Sequence, residues 1–299
     1  MNRYVIMRYY LRGGTLIIRG GFRAASTGID GGTGTVSTLL NHTVPPDWDH
    51  RDPARVLRTI ISREGLPEDF FGLMTAVEMK NLCILQYDFI TAFITAGILH
   101  GKQDQQDTIN IIISSQEGLT DAALLGAIIT ATEAKVLALA QNGYAISGTP
   151  TDAVIVASEG DAVHPYAGPV TGPGMRIREA VLFGIPEALK RHEGTITRKS
   201  PSFFILSRYG GQHWAEWVPE ACPYYPCHFP GQRCDFCYCP FYPCGDESLG
   251  QWVVSSSGNG VVWNCASCTL LHDPELCEYL QQNPEATLGE LKARKKKTS

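Results

Sequence analysis

The stretch GLTDAALLGAIITATEAKVLALAQNGYAISGTPTDAVIVAS, residues 118–158, decides the fold that we predict. Its first part predicts a helix, because Thr120 can cap the first turn with its hydroxyl and Asp121 would lie where the helix dipole favours an anion. Gly143 follows the last apolar residue and can take the left-handed conformation in which many helices end. Apolar residues recur at helical spacing between these points, which predicts one buried stripe. The stripe comprises Leu124, Leu125, Ile128, Ile129, Thr132, Val136, Leu139 and Ala140.

The second part of this stretch predicts a core strand. Residues 153–157 are a compact run of small and β-branched residues, which is typical of a strand buried on both faces. The polar turn GTPTD (148–152) connects the helix to this strand, and such a scaffold can hold a site. With the rest of the chain it predicts an α+β fold. We expect a mixed sheet with packed helices over residues 1–217, followed by a small cysteine-rich zinc-type domain over residues 218–299.

Three other segments extend the prediction. Residues 70–98 are rich in β-branched and aromatic residues, and they predict two strands with a turn near residues 78–81. The part of this segment that begins at residue 82 should pair in antiparallel fashion with residues 108–115. Residues 195–217 should form a connector that carries its own aromatic residues.

The charge distribution argues against a nucleic-acid partner. The chain has 299 residues and a net charge of −5, although five of its last eight residues are basic. The remainder is therefore more acidic still, which suits a phosphate backbone poorly. We expect the basic tail to be an exposed, disordered solubilising segment, with contact to RNA or an acidic partner as the alternative. The five basic residues are Lys292, Arg294, Lys295, Lys296 and Lys297.

The beginning of the chain does not resemble an export signal. Arg3, Arg8 and Arg12 interrupt the segment in which an apolar signal region would lie. Later apolar runs are broken by Asp, Gln and Lys before they reach the length of a membrane span. We therefore expect a cytoplasmic protein without a membrane partner, and the sequence defines no oligomeric state.

The cysteines are concentrated at one end. Cys83 is the one cysteine among the first 221 residues and is expected in the core, whereas nine cysteines lie between Cys222 and Cys277. Without an export signal, such a cluster indicates metal ligands rather than disulfides. Two C-x2-C pairs have the spacing that places two thiolates on one tetrahedral ion. The expected ligands are Cys222, Cys227, Cys234, Cys237, Cys239, Cys244, Cys265 and Cys268, with His228 and His272 as spare donors.

Nine cysteines leave two arrangements open: two four-thiolate sites, or one site and several cysteines that bind no metal. A structural zinc ion is the first choice, because thiolates in a closed shell suit zinc. An iron–sulfur cluster is the second choice.

The chain contains STGIDGGTGTVSTLLNHTVP (26–45), GLTDAALLGAIITATEAK (118–135) and GTPTDAVIVAS (148–158) among seven segments that point to one family. Together, and in their order along the chain, these segments resemble the adenosylcobinamide amidohydrolase family of corrinoid salvage. The resemblance implies hydrolysis of the amide that joins the aminopropanol arm of adenosylcobinamide to the corrin ring, giving adenosylcobyric acid. The corrinoid is then a small-molecule substrate and not a cofactor. The segments CPFYPCGDESLGQWV and VWNCASCTLLHDPE resemble a cysteine-rich small domain presumed to bind metal. The amidohydrolase-like segments are STGIDGGTGTVSTLLNHTVP (26–45), LMTAVEMKN (73–81), FITAGI (93–98), DTINIII (107–113), GLTDAALLGAIITATEAK (118–135), GTPTDAVIVAS (148–158) and YAGPVTGPG (166–174).

Amide hydrolysis needs a nucleophile or an activated water, an acid for the departing amine and donors for the oxyanion. No G-x-S-x-G elbow or H-E-x-x-H helix is present. Our hypothesis is that Glu78 or Glu133 handles protons, while Asn41, His42 and the turn at Thr151 and Asp152 bind and polarise the amide. The expected substrate-binding residues are Ser26, Thr27, Gly31, Gly32, Thr151, Asp152 and Asp121.

Each of these assignments has a simpler alternative. Glu78 and Lys80 could mark an exposed turn, and Glu133 could pair with a neighbouring lysine and do no chemistry. The glycines of GGTGT (31–35) fit a tight hairpin turn better than a phosphate loop, because no Gly-Lys-Ser/Thr follows them. The alternative function is a non-enzymatic corrinoid carrier or sensor with a metal-stabilised docking module, which would bind the corrinoid without turnover.

Overall fold

The structure is a computed structural model that describes residues 7–49, 51–98, 107–208, 211–218, 222–255 and 260–298. The chain divides into two units, Met1–Trp217 and Val218–Ser299. The first unit contains a mixed sheet with packed helices, and the second contains the cysteine-rich segment. The predicted fold class is thereby confirmed.

Twelve strands and three helices make up the described part of the first unit. The helices are α1 (Pro53–Arg63), α2 (Asp121–Gln141) and α3 (Gly172–His192). The strands are β1 (Arg8–Arg12), β2 (Thr15–Ser26), β3 (Gly32–Thr43), β4 (Phe70–Thr75), β5 (Cys83–Tyr87), β6 (Ile90–Gly97), β7 (Thr108–Ser115), β8 (Gly118–Leu119), β9 (Ala153–Ser158), β10 (Ala162–His164), β11 (Ser202–Ser207) and β12 (His213–Trp217).

Ten of these strands form one sheet in the order β12-β11-β5-β6-β7-β9-β2-β3-β4, and β1 pairs with β2. The pairs β3–β4, β7–β9 and β5–β11 are parallel, and the others are antiparallel. The predicted antiparallel pairing of residues 82–98 with residues 108–115 is confirmed as β6 on β7. Strand β9 is buried along its whole length, as predicted for the core strand.

Two predicted segments differ from the structure. Residues 70–98 form three strands rather than two, because Asp88 at φ 51° makes a second turn between β5 and β6. Residues 195–217 are not a connector, since β11 and β12 form an antiparallel hairpin at the sheet edge. Its aromatic side chains pack on the sheet and α3, as in the stacking of Trp214 on Phe183 at 5.3 Å.

The ends of α2 lie where the sequence predicts them, but the buried stripe does not. The Thr120 hydroxyl accepts from the Ala123 amide at 3.1 Å, and Gly143 has φ 83°. Leu125 and Ile129 are 51% and 59% exposed, so this part of the predicted stripe is wrong. Small residues let α2 approach its neighbours closely, and they make up most of its buried face. That face comprises Ala123, Leu124, Ala127, Thr130, Ala131, Ala134, Lys135, Ala138 and Leu139.

Helix α2 is also long and apolar enough to cross a membrane by length and composition, and within the described residues no other helix is. Half of this apolar stretch of α2 is buried within the unit, as in the core helix of a folded domain.

The sheet curls, so that strands distant in its order face each other. Tyr9 of β1 meets Phe93 of β6 edge to face at 5.1 Å, and the Asn110 side chain of β7 donates to the Met74 carbonyl of β4 at 2.9 Å. Apolar side chains from seven of the central strands fill the inside of the curl. A second core lies between the sheet and helices α2 and α3. The polar residues Asn41, Thr95 and Asn110 are buried where β3 and β4 approach β6 and β7.

The second unit has its own apolar core. This unit contains β13 (Gln251–Val254), β14 (Val261–Asn264), α4 (Pro274–Gln282) and α5 (Leu288–Thr298). The tail expected to be disordered is helix α5, so that expectation is wrong. The Thr287 hydroxyl accepts from the Glu290 amide at 3.2 Å while the Glu290 carboxylate accepts from the Thr287 amide at 2.5 Å, forming a capping box. Leu291 is fully buried and anchors the helix.

Candidate active site

A cavity of about 410 Å³ opens beside the curl of the sheet. Its wall is built by the β2–β3 turn, the segment after β3, the end of β4, the start of β7 and the turn before β9. The lining residues are Thr27, Gly28, Ile29, Val44, Pro45, Pro46, Trp48, Pro53, Leu73, Met74, Thr75, Ala76, Thr108, Asn110, Pro150, Thr151, Asp152 and Ala153.

A buried polar network lies behind this wall. The Asn110 amide nitrogen donates to Asn41 Oδ1 at 3.0 Å and to the Met74 carbonyl at 2.9 Å. The Asn41 amide nitrogen donates in turn to the Thr95 hydroxyl at 3.0 Å. Because the Met74 carbonyl can only accept, the Asn110 atom that faces it must be the nitrogen, which fixes the orientation of both amides. Asn110 Oδ1 is buried and accepts no hydrogen bond from any described residue.

Asp152 anchors the turn before β9. Its Oδ1 accepts from the Ile109 amide at 2.9 Å and the Thr149 hydroxyl at 2.5 Å, and its Oδ2 accepts from the Thr149 amide at 3.1 Å. The Lys135 ammonium of α2 also donates to Oδ2. The side chains of Lys135 and Asp152 are 9% and 12% exposed. This nearly buried ion pair therefore ties the central helix to the wall of the cavity.

Threonine hydroxyls supply most of the other polar groups of the wall. Thr108 and Thr151 are joined at 2.6 Å, and the Thr151 hydroxyl donates to the Asp107 carbonyl at 3.0 Å. Thr108 is consequently the donor to Thr151, because Thr151 has a single hydroxyl proton. The Thr27 hydroxyl accepts from the Val154 amide at 2.9 Å. The wall therefore presents hydroxyl and amide groups held by the backbone of the sheet.

Three of the predicted substrate-binding residues, Thr27, Thr151 and Asp152, line this cavity. Asn41 lies behind the wall and reaches it through Asn110. Asp121 lies outside the lining, on the surface at the start of α2, where Arg23 holds it through two bonds of 2.7 and 2.6 Å. The hydrogen bond from Arg23 is the main cause of the lowered pKa of Asp121.

Ser26, Gly31 and Gly32 shape the β2–β3 turn and are not lining residues. The Ser26 hydroxyl accepts from the Gly28 amide at 3.0 Å, and the Gly31 amide donates to the Gly28 carbonyl at 3.0 Å. A side chain at Gly31 would meet the Ser26 carbonyl at 2.4 Å, so this position needs glycine. The hairpin interpretation of these glycines therefore fits, with the turn slightly earlier than GGTGT and Gly32 already in β3.

His42 follows Asn41 on β3 and so points to the opposite face of the strand. Its Nδ1 is 2.8 Å from the Thr15 hydroxyl. Burial is the main cause that lowers the pKa of His42, and the positive charge of Arg63 lowers it further. The lowered pKa therefore favours the neutral imidazole. This side chain lies away from the lining of the cavity.

The two glutamates expected to handle protons also lie outside the lining. Glu78 is exposed and forms an ion pair with Lys80 at 2.8 Å, which matches the exposed-turn alternative. Glu133 is exposed on α2, and the nearby Lys135 is paired with Asp152 instead.

The polar residues of the site and its supporting network that were missed from the sequence include Thr75, Thr95, Thr108, Asn110 and Lys135. Thr108 and Asn110 are two residues apart on β7, so they share one face of a strand that is otherwise mostly isoleucine. A polar residue inside such a run was the available signal. Lys135 lies one turn after Ala131 on a buried helix face, where an unpaired lysine would be costly.

Eight of the nine cysteines of the second unit fall into two groups of four that are consecutive along the chain. Burial is the largest cause that raises the pKa of Cys237, and the other three thiols of its group raise it further. Cys239 belongs to the second group. Burial is the main cause that raises its pKa to about 12, and the other three thiols of that group contribute to the rise. The groups are Cys222, Cys227, Cys234 and Cys237, and Cys239, Cys244, Cys265 and Cys268.

Other donors of the second unit are engaged in the fold. Cys277 is fully buried and its thiol donates to the Leu271 carbonyl at 3.1 Å. His272 Nδ1 lies 2.9 Å from the Arg233 carbonyl, which makes this nitrogen a donor. Among the described residues, no three cysteine, histidine or carboxylate side chains are gathered into a formed metal site. The eight cysteines of the two groups offer thiol donors, which suit thiolate-binding metals. Cys277 is instead a core residue.

Cys83 of the first unit is likewise a core residue, as predicted. It is fully buried on β5, and burial raises its pKa to about 12.

Comparison with known proteins matches both units to families. The adenosylcobinamide amidohydrolase family matches residues 14–197, and a family described as a cysteine-rich small domain matches residues 213–295. An adenosylcobinamide amidohydrolase of Methanosarcina mazei is 42% identical over 196 residues, which cover 62% of this chain and 98% of that protein. A protein of the same name from Halobacterium salinarum is 28% identical over 188 residues, covering 56% and 80%. The chain therefore belongs to the adenosylcobinamide amidohydrolase family.

Proposed function

We propose that this chain hydrolyses the amide of the aminopropanol arm of adenosylcobinamide, giving adenosylcobyric acid, and that the cavity beside Asn110 receives this arm. One observation carries the proposal: segments that are far apart in the sequence and bear the family resemblance meet around this cavity. Residues 27–29, 44–45, 73–76, 108, 110 and 150–153 belong to four such segments and contribute to the lining. A fifth segment supplies Thr95 behind the wall, and a sixth supplies Lys135.

The size of the cavity supports entry of the arm alone. A volume of about 410 Å³ is at the small end for sites that enclose a drug-sized ligand. A corrinoid with its ring and adenosyl group is much larger than such a ligand. The arm would therefore enter the cavity while the ring rests at its mouth, where the backbone of the β2–β3 turn can approach the amide groups at the ring edge.

The reaction adds the oxygen of water to the amide carbonyl carbon, breaks the bond from that carbon to nitrogen and transfers both protons of the water to the departing nitrogen. The products are a carboxylate on the corrinoid and free aminopropanol in its ammonium form. Asp152 is the carboxylate among the described lining residues, so we assign proton handling to Asp152 rather than to Glu78 or Glu133. The Thr149 hydroxyl can rotate away from Asp152 Oδ1 and free a lone pair for the attacking water. Lys135 balances the charge of Asp152 from behind the wall.

A large side chain that fills the cavity tests whether the cavity is the site. Ala76 lines the cavity, and Ala76→Trp should occupy the space of the arm, whereas Ala122→Trp places the same side chain on the exposed face of α2. Each protein is incubated with adenosylcobinamide, and adenosylcobyric acid and aminopropanol are measured by mass spectrometry. We expect both products from the wild type and Ala122→Trp, and a loss of at least tenfold in Ala76→Trp.

Full turnover by a folded Ala76→Trp variant would place the reaction elsewhere. Tight binding of intact adenosylcobinamide by the wild type, without products, would favour the carrier or sensor alternative.

We also propose that each group of four cysteines in the second unit binds one structural zinc ion. Eight thiols in two consecutive groups match two tetrahedral thiolate sites, while Cys277 is occupied in the core. A cytoplasmic location accords with this proposal, because thiols remain reduced there. Metal analysis of the purified full chain should find two zinc ions per chain, unchanged in Cys277→Ser and reduced in Cys265→Ser. Iron with visible absorption would instead indicate the iron–sulfur alternative.

A further inference from the structure

We infer that Asn110 Oδ1 accepts a hydrogen bond from the N–H of the scissile amide and makes the enzyme selective for an arm attached through a secondary amide. This inference rests on the proposed function of the cavity. It adds a contact with the reacting group itself, made by a residue near the start of β7.

One atom of the Asn110 side chain is left without a hydrogen bond within the described part of the chain. The two donor protons of the Asn110 side chain are committed to Asn41 Oδ1 and the Met74 carbonyl. Reversing the amide would set its oxygen against the Met74 carbonyl, and two acceptors repel each other. The oxygen of Asn110 is consequently the atom left over, and it accepts no bond from any described residue.

This oxygen belongs to a buried residue of the cavity wall. Asn110 is 1% exposed and yet belongs to the lining of the cavity. A buried acceptor without a donor is costly and therefore uncommon in folded proteins. A ligand in the cavity that brings a donor to this point would remove the cost, so the oxygen favours ligands with a donor there.

The arm has two groups that can donate a hydrogen bond, the amide N–H and the hydroxyl. The scissile amide carries one N–H, which can only donate, whereas the hydroxyl of aminopropanol both donates and accepts. The hydroxyl is well matched by threonine hydroxyls such as Thr75, Thr108 and Thr151, which do the same. The N–H is matched by an acceptor that donates nothing, as Asn110 Oδ1 is. An amide oxygen is too weakly basic to take the proton, so Asn110 orients the planar amide and leaves its carbon open to water.

The experiment compares two arms in two variants. One substrate is adenosylcobinamide, and the other carries an ester oxygen in place of the amide N–H. In Asn110→Ala, kcat/KM for the amide should fall about ten- to a hundredfold relative to kcat/KM for the ester, because only the amide loses a hydrogen bond. Thr95→Ala is the matched control, since it breaks the same network at its other end without touching the lining. Its ratio of amide to ester turnover should equal that of the wild type.

A folded Asn110→Ala variant with an unchanged ratio would overturn the inference. If this variant fails to fold, the wild type is assayed with an N-methylated amide arm, which has no N–H. Cleavage of that arm at least tenfold more slowly is expected, and equal rates would overturn the inference. A wild type that cleaves neither amide arm would refute the proposed function itself, and the two failures are thus distinguishable.

Discussion

Lys135 and Asp152 show how a single ion pair can support the wall of the site. Both side chains are nearly buried, and Asp152 also receives three donors from Ile109 and Thr149. Removing one partner of a buried pair leaves the other charge uncompensated. We expect Lys135→Met to lower the free energy of unfolding by about 3 kcal/mol and to weaken turnover, as measured by denaturant titration and product formation.

The matched control for this prediction is Lys80→Met, which breaks the exposed pair with Glu78. It should change the free energy of unfolding by no more than about 0.5 kcal/mol, because exposed ion pairs contribute little. Equal effects of the two substitutions would mean that Lys135 does not act through a buried pair.

Glu159 is a second residue whose surroundings have a measurable consequence. Burial is the main cause that raises its pKa to about 7, although backbone amides of Met7 and Gly21 oppose the shift. A carboxyl group with a raised pKa in the folded state stabilises the fold below its unfolded pKa of about 4.3, and this contribution is lost as the pH rises through about 7. Glu159→Gln stays neutral, so its stability relative to the wild type should increase between pH 5 and pH 8 by about 1–3 kcal/mol.

Unfolding at several pH values measures this difference. Glu133→Gln is the control, because it makes the same substitution at an exposed position of α2. A constant difference between Glu159→Gln and the wild type across this range would contradict the prediction.

At the scale of the element, α2 separates what local sequence determines from what packing determines. Its ends were predictable because capping by Thr120 and the left-handed Gly143 depend only on neighbouring residues. Its buried face was not, because apolar residues surround the helix and adjacent pairs such as Leu124 and Leu125 satisfy either choice. The contacts of the sheet and α3 decide which leucine is inside.

These adjacent leucines give a direct test of the burial of α2. Leu124 is fully buried and Leu125 is 51% exposed. Leu124→Ala should lower the free energy of unfolding by about 2–5 kcal/mol, because it leaves a cavity in the core. Leu125→Ala should change it by about 0.5 kcal/mol or less, as is usual for surface substitutions. Losses of similar size from the two substitutions, in thermal or denaturant unfolding, would restore the stripe predicted from periodicity, which contains both leucines.

The same distinction explains the candidate site at the scale of the whole molecule. Thr27, Thr151 and Asp152, which line the cavity, were predictable because they are polar residues within the segments that resemble the family. Asn110 was not, because its partners Asn41 and Met74 come from other strands and meet it only when the sheet curls. Glu78 and Glu133 attracted attention as charges within apolar sequence, but such positions also occur at exposed turns and on the outer faces of helices.

The two units also differ in what should hold each of them together. The first has two large apolar cores within and around its sheet, whereas the second has one small core beside eight thiols. We expect the zinc ions proposed for the thiol groups to stabilise this unit, because its buried apolar surface is small. Treatment of the full chain with a strong zinc chelator should therefore unfold the second unit and leave turnover of adenosylcobinamide unchanged. Far-ultraviolet circular dichroism and product formation, followed together, measure both effects.

The control for chelation is the same treatment with excess zinc, which should preserve the second unit. The residues that we place around the reacting amide all belong to the first unit, and none of the eight thiols lines that cavity. Turnover that declines in step with zinc release would contradict a purely structural metal and would link the thiol groups to the chemistry. Turnover that persists after the second unit has unfolded would assign the hydrolysis to the sheet and its three helices alone.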